Sequence, residues 1–405
     1  MNAPSFSRIW QTVAFFILPL LISCAQPASD LGLVDLDEAI SKAADNIAMQ
    51  VAIQNDPLKT LSALVGTGGK RNIVVDSMID GASGQRTAFA VEVERRLVLQ
   101  LTATHQSLSI SPLSADSLKH AEFLLVGTVT IEGANEKGAM LSNAAAGIRI
   151  AVVSISAGRV IAQASARVRN SGFDTTPSGF DQDSPVVALD GAVRGYIATA
   201  SASLGTSANP GYLKQLRAAS AIAQGSENYS RGKFSEALTS FQTALSDGEQ
   251  LRALNGSYLA SVRLGKLDQA ELYFGRIVNL GVGERNLGVK FLFEPKSSEF
   301  WADQKVSGLY DMWIRQIARG LEKASTCVDI VGHASRTGTE ANNELLSAQR
   351  AAVIQRKLLA VPPRQLGNRT TTKGVGSREY LVGIATDDAR DAVNRRVTFS
   401  FHNCP

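Results

Sequence analysis

Cys327-Val328-Asp329-Ile330-Val331-Gly332-His333, then Ala334-Ser335-Arg336-Thr337-Gly338, then a run carrying Asn343, Leu346, Ser347, Arg350, Ala351 and Ile354 decides the architecture of the last third of this chain. The first seven residues read as a strand and the next five as a loop. In the run that follows, the named residues recur three and four apart, the spacing of one helix face. Upstream, Val289-Lys290-Phe291-Leu292-Phe293 alternates as a strand does and Glu294-Pro295 ends it. A helix is predicted between them, through Leu309, Met312, Trp313, Ile317 and Leu321. Downstream stand Pro362-Pro363, Gly374-Val375-Gly376 and a last strand in Asn394-Arg395-Arg396-Val397-Thr398-Phe399-Ser400-Phe401. Together these predict an α/β sandwich, two helices on a mixed sheet, over 285–405.

The same residues resemble the OmpA-like peptidoglycan-associated domain. That family shows a strand, GHTD, a loop, a helix with NxxLSxxRA, then GxG, then NRRV. This chain has Gly332-His333-Ala334-Ser335, Asn343-Glu344-Leu345-Leu346-Ser347-Ala348-Gln349-Arg350-Ala351, Gly374-Val375-Gly376 and Asn394-Arg395-Arg396-Val397, in that order. The resemblance implies a site for the diaminopimelate of the wall peptide, built from Ser335, Arg350, Asn343, His333, Arg336 and Arg395. In the family an aspartate takes the ammonium and the arginine takes a carboxylate in fork geometry. Here the arginine is kept as Arg350, but Ser335 stands at the aspartate position. A hydroxyl accepts a hydrogen bond without supplying charge, and a charged bond is worth about 1.5–3 kcal/mol against roughly 1 for a neutral one. Affinity is therefore expected to fall, and Ser335→Asp to restore it. Arg336 either draws a second carboxylate or points into water. His333 orders the loop or touches the ligand, and Arg395 and Arg396 frame the site. The resemblance also makes the Cys327 strand and the last strand antiparallel neighbours, which implies a Cys327–Cys404 disulfide.

At the other end of the chain, Arg8 precedes the apolar run from Val13 to Ile22, which contains Pro19. Ten helical residues reach about 15 Å, half of a bilayer's hydrocarbon core. The run fits the h-region of a secretory signal over 1–23. Leu21-Ile22-Ser23-Cys24 resembles the bacterial lipobox, so Cys24 is expected to be lipidated and 24–34 to act as a tether. Ala25 after it, rather than Asp, suggests the outer membrane, facing the periplasm.

Over 35–200 a mixed α/β domain is expected. Leu36, Ile40, Ala43, Ala44 and Ile47 have helical spacing, as do Phe89, Val93, Leu97 and Leu101. Ile73-Val74-Val75-Asp76 and Ser107-Leu108-Ser109-Ile110 read as strands, and 121–131 and 147–155 as a long strand pair. Ala121-Glu122-Phe123-Leu124-Leu125-Val126-Gly127-Thr128 and the later strand–Gly–strand resemble the CsgG-, FlgO- and LpoB-like periplasmic lipoproteins. Asp76 and Asp80 lie at a strand end, where two carboxylates either hold a metal or cap a solvated turn. Over 212–284, Gly232-Lys233-Phe234-Ser235-Glu236-Ala237 and Gly265-Lys266-Leu267-Asp268-Gln269-Ala270 align at an offset of 33, as do Phe241 and Phe274. This resembles two tetratricopeptide repeats, read either as a peptide-binding groove or as a rigid spacer.

Composition narrows the function. Among the 405 residues, 41 Lys+Arg against 37 Asp+Glu leave a net charge of +4, too balanced for a strongly basic nucleic-acid binder. From Arg285 on there are 18 basic and 12 acidic residues, so the excess belongs to the last part of the chain. That excess is either a solvated surface or a preference for an anionic partner. No CxxC, HxxxH or GxxxxGK[ST] occurs, so zinc-ribbon, zincin and P-loop chemistry are excluded. No cofactor, no nucleic-acid partner and no enzymatic activity are expected. The reading is an outer-membrane lipoprotein that binds peptidoglycan and links the membrane to the wall and to an unidentified envelope protein. The alternative is a regulator or assembly factor for a wall synthase, flagellar or secretion complex.

Overall fold

The computed structural model describes residues 31–53, 69–134, 140–169, 172–324, 326–362, 366–379, 381 and 394–404. The expected signal segment and Cys24 lie outside the described residues. Two sheets and a layer of helices between them make up a mixed α/β protein.

The first sheet contains β1 (Leu31–Val34), β2 (Arg71–Val75), a two-residue β3 (Ile79–Asp80), β4 (Leu108–Pro112), β5 (Phe123–Ala134), β6 (Met140–Ser154) and β7 (Arg159–Arg169). Its order is β1-β7-β6-β5-β2-β4, with β3 on β5. β5, β6 and β7 form an antiparallel meander, whereas β2 runs parallel to β4 and β5. Residues 123–129 are buried at every position, so the sheet must be covered on both faces. On one face lie α1 (Leu36–Ile53) and α2 (Ala88–Thr104), with Ile47, Phe89 and Leu97 against Ile73, Leu125 and Ile150. Thr87 caps α2 by accepting from Ala90 N. The other face is covered by α3 (Gly191–Ala200) and α4 (Pro210–Lys214), which bring Val193, Tyr196 and Tyr212 onto Val74, Leu124 and Val126. The Tyr196 hydroxyl donates towards Ser77 O (2.9 Å) or Gly127 O (3.0 Å) and accepts from Gly127 N (2.9 Å), which fixes α3 on the central strand. The hydrophobic spacing of α3 and α4 is too short to stand out in the sequence.

The helical layer is α5 (Leu216–Ser230), α6 (Phe234–Leu245), α7 (Leu251–Arg263) and α8 (Leu267–Gly283). Gly232 and Gly265, 33 residues apart, occupy left-handed backbone (φ 74° and 71°) in the α5–α6 and α7–α8 turns, where a side chain would be strained. Phe241 and Phe274 are fully buried. Across the layer runs the segment 180–190. Phe180 stacks on Phe241 at 5.3 Å, and Asp183 accepts from Tyr229 Oη (2.7 Å) and Arg263 Nη2 (2.9 Å). Val186 O accepts from Asn255 Nδ2 at 3.2 Å, and Asp190 Oδ2 from Leu251 N at 2.6 Å. The faces of α5 and α7 that carry Tyr229, Asn255 and Arg263 are thus occupied by the chain itself.

The second sheet has the order β10-β9-β11-β8, from β8 (Leu287–Val289), β9 (Cys327–Gly332), β10 (Thr370–Gly374) and β11 (Val397–His402). β9 is parallel to β10 and antiparallel to β11. α9 (Tyr310–Lys323) and α10 (Glu340–Ala360) pack with it, and one continuous core joins this unit to the helical layer. Trp313 of α9 stacks on Phe274 at 5.2 Å and donates from Nε1 to Tyr258 Oη at 2.8 Å. The first strand departs from expectation: it spans 287–289, not 289–293. Lys290 N donates to Pro185 O and its buried ammonium donates to Asp181 O (2.7 Å), which draws the chain out of the sheet. Phe291 and Phe293, read as strand residues, fill the aromatic cluster around Phe300 and Tyr310 instead. Cys327 and Cys404 are disulfide-bonded with a Cα separation of 4.9 Å, beside the antiparallel pair Cys327–His402. The bond closes a 77-residue span, for which the chain-entropy relation gives about 4.5 kcal/mol.

Candidate functional site

The site is built where β9 ends. Gly332 and Gly374 let α10 lie directly on the sheet: a Cβ at Gly332 would meet Ser347 O at 2.0 Å, and one at Gly374 would meet Ala348 N and Glu344 O at 2.5 Å. The buried Ser347 hydroxyl accepts from Gly376 N (3.0 Å) and donates to Glu344 O (2.9 Å). The loop after β9 is tied by His333 N to Arg396 O and by Ala334 N to Gly376 O. It ends with Gly338 in left-handed backbone (φ 88°) and with Thr339, whose hydroxyl caps α10 by accepting from Asn342 N.

Between this loop and the first half of α10 lies an open cleft of ≈ 1110 Å³ including its mouth, and Ser335, Asn343 and Arg350 all line it. Ser335 and Asn343 are largely buried, and Ser335 Oγ lies 3.3 Å from Thr337 Oγ1. Arg350 is 2% exposed. Its Nε donates to Ser297 O (3.1 Å), its Nη2 to Glu294 O (3.2 Å), and its guanidinium stands 5.0 Å over the Phe293 ring. The cleft also takes in Lys296, Thr337, Asn342 and Gln349, none of them singled out by motif. Glu294-Pro295 signalled only the end of a strand; that Lys296 reaches a helix some fifty residues later is a tertiary fact.

The other three sequence-derived residues do not line the cleft. His333 is buried behind it, with Nε2 2.8 Å from Thr398 Oγ1. Burial, and secondarily the Arg396 charge, lower its pKa to about 2, so the imidazole is neutral near pH 7. The 3.6 Å approach of Nδ1 to the exposed Glu379 carboxylate is therefore not an ion pair. Arg395 is 1% exposed and belongs to the interior, and Arg336 is half-buried outside the cleft lining. Arg396 is also buried, which lowers its pKa to about 10.

Asp76 and Asp80 are both engaged in the fold. Asp76 accepts from Tyr212 Oη at 2.6 Å and from Ser77 N at 2.9 Å, and burial raises its pKa. Asp80 accepts from Ser83 N (2.7 Å), Ser83 Oγ (2.8 Å) and Ala82 N (3.1 Å), holding the turn after β3; burial raises it to about 6. Among the described residues no three His, Cys, Asp or Glu side chains form a metal-holding group. No described helix is long and apolar enough to cross a membrane.

No protein-family model matches the chain, and no curated protein matches it. Solved structures do. The chain is similar to the periplasmic domain of Helicobacter pylori MotB, at 18% identity over 30% of this chain and 74% of that one, with a TM-score of 0.24. It is similar to the peptidoglycan-associated lipoprotein from Burkholderia pseudomallei, at 23% identity over 31% of this chain and 95% of that one (TM-score 0.24). It is also similar to the cell wall anchor of the T6SS from Pseudomonas aeruginosa, at 24% identity over 28% of this chain and 78% of that one (TM-score 0.23). The likeness covers under a third of the chain at low identity, and the functional reading rests on the cleft's own residues.

Proposed function

We propose that the chain is a lipid-anchored envelope protein of the OmpA-like type that holds peptidoglycan non-covalently in the cleft between the β9–α10 loop and α10. The observation that carries this is the convergence of Ser335, Asn343 and Arg350 on one cleft from two separate motifs. A cleft with hydroxyl, amide and cationic groups suits the polar, carboxylate-bearing stem peptide of the wall. The first sheet and the helical layer would then present an envelope partner with a surface anchored through the second sheet. Co-sedimentation of the full chain with purified sacculi is the test. Binding is expected, and Arg350→Ala should abolish most of it, since both the guanidinium and the turn it holds would be lost. Failure of the unsubstituted chain to pellet with sacculi would remove the reading.

A second reading, a regulator or assembly factor with weak or no wall binding, draws support from Ser335, which leaves the aspartate position of the family without charge. Both readings include the anchor at Cys24. The intact mass of native protein should show a chain that begins at Cys24 and carries acyl groups. A free Cys24 thiol, or a start elsewhere, would refute the anchor.

A further inference from the structure

Arg350 occupies the place of a ligand-gripping arginine, yet it offers almost no surface. It is 2% exposed, with Nε and Nη2 bonded to the carbonyls of Ser297 and Glu294. Those bonds suspend the 294–297 turn beside α10. Within that turn stands Lys296, exposed, lining the cleft, and in left-handed backbone at φ 55°. A residue with a side chain keeps that conformation only where its surroundings impose it, and here Arg350 clamps the carbonyls on both sides of it. Phe293 and Phe300, packed at 5.3 Å, hold the base of the turn.

Three carboxylates, one on the turn and two on α10, are engaged elsewhere. Glu294 Oε1 accepts from Ala302 N at 2.7 Å, and Glu340 and Glu344 lie 3.4 and 3.3 Å from Arg378 Nη1. Among the described residues Lys296 has no salt-bridge partner. An ammonium is a point charge on a flexible stem; it needs no fork alignment and can meet a carboxylate anywhere across the cleft mouth.

We propose that Lys296 is the cation that contacts the carboxylate of the bound peptide, and that Arg350 is the residue that positions it. This rests on the wall-peptide reading and names which group of that ligand is read, and by what. The contact lies at the mouth, so its strength falls as salt rises.

The test is calorimetric titration of the full chain with a soluble wall tetrapeptide containing diaminopimelate, and with the same peptide amidated at the diaminopimelate carboxylate. Lys296→Met keeps the stem and removes the charge. It should weaken binding of the free-acid peptide about ten-fold or more, the size of a lost charged hydrogen bond. Thermal stability should be unchanged, and Lys296→Arg should restore affinity. Amidation should weaken the unsubstituted chain by a similar factor and Lys296→Met scarcely further. Arg350→Met should also weaken binding, speed amide exchange in 294–300, and leave Lys296→Met with no added effect in the double variant. If Lys296→Met binds the free-acid peptide as the unsubstituted chain does, the proposal is overturned and the wall reading stands. If the unsubstituted chain binds neither peptide, both fall.

Discussion

Gly332→Ala is expected to unfold the C-terminal sandwich or to leave it without a working cleft. The added methyl carbon would lie 2.0 Å from Ser347 O and 2.8 Å from Ser347 C, both backbone atoms of α10. No rotamer change relieves a clash with backbone, so the helix must retreat from β9 by more than an ångström. That retreat would pull Ser347 away from Gly376 N and loosen the loop carrying Ser335. Overpacking in a close-packed interior costs about 1–3 kcal/mol when side chains can shift and more when they cannot, so about 3 kcal/mol or more is expected here. Gly367→Ala is the control, since nothing lies within 4 Å of its added carbon; its effect should stay within about 0.5 kcal/mol. Denaturant unfolding followed by tryptophan fluorescence reports the difference, because Trp313 belongs to the core shared by α9 and the second sheet. Equal midpoints for the two variants would show that α10 is not in backbone contact with β9.

Phe241→Ala is expected to destabilise the helical layer by about 3–5 kcal/mol, the usual range for emptying a phenylalanine site in a core. The side chain has no exposed surface and lies against Gly225, Gly256 and Phe180. A Cβ at Gly256 would meet its ring at 2.4 Å, so the helices approach as closely as the ring allows and have little room to collapse. The ring also joins α5, α6 and α7 to the 180–190 segment. Its loss should therefore raise amide exchange both in 216–263 and across 180–190. A cost near 1 kcal/mol, with exchange unchanged in the crossing segment, would mean that the layer is held without this contact. Chains with several cores need not unfold in one step, so the region-resolved exchange is the decisive measurement.

Much of the architecture is written in short-range patterns. The four-residue spacing of Phe89, Val93, Leu97 and Leu101 recurs as the buried stripe of α2, and the run from Phe123 to Val129, apolar except for Thr128, is buried on both faces. The repeat offset of 33 marks two turns that share a left-handed glycine. The order of the four C-terminal motifs places Ser335, Asn343 and Arg350 on one cleft, and the antiparallel adjacency it implied brings Cys327 to Cys404. Local periodicity encodes which face of an element is apolar, and that follows from residue type alone.

Which polar groups end up inside is decided by packing between distant segments. Arg350, Arg395 and His333 look alike in a motif as polar candidates, yet all three are buried, and of these only Arg350 reaches the cleft lining. Phe291 and Phe293 alternate as a strand would, but the pull of the buried Lys290 on the 181–185 backbone takes them out of the sheet. The helical repeats carry no sign that residues 180–190 would cover α5 and α7, because that contact depends on Asp183, Asn255 and Leu251 meeting from different parts of the chain. Lys296 lines the cleft from a turn whose carbonyls at 294 and 297 are bonded by Arg350, a contact between segments some fifty residues apart. Amino-acid order by itself determined most of the longer elements and their apolar faces, and named three of the residues that line the cleft; the tertiary structure alone decided the end of the first C-terminal strand, exposure and partnership, since burial and hydrogen-bond pairing are properties of which segments meet in space.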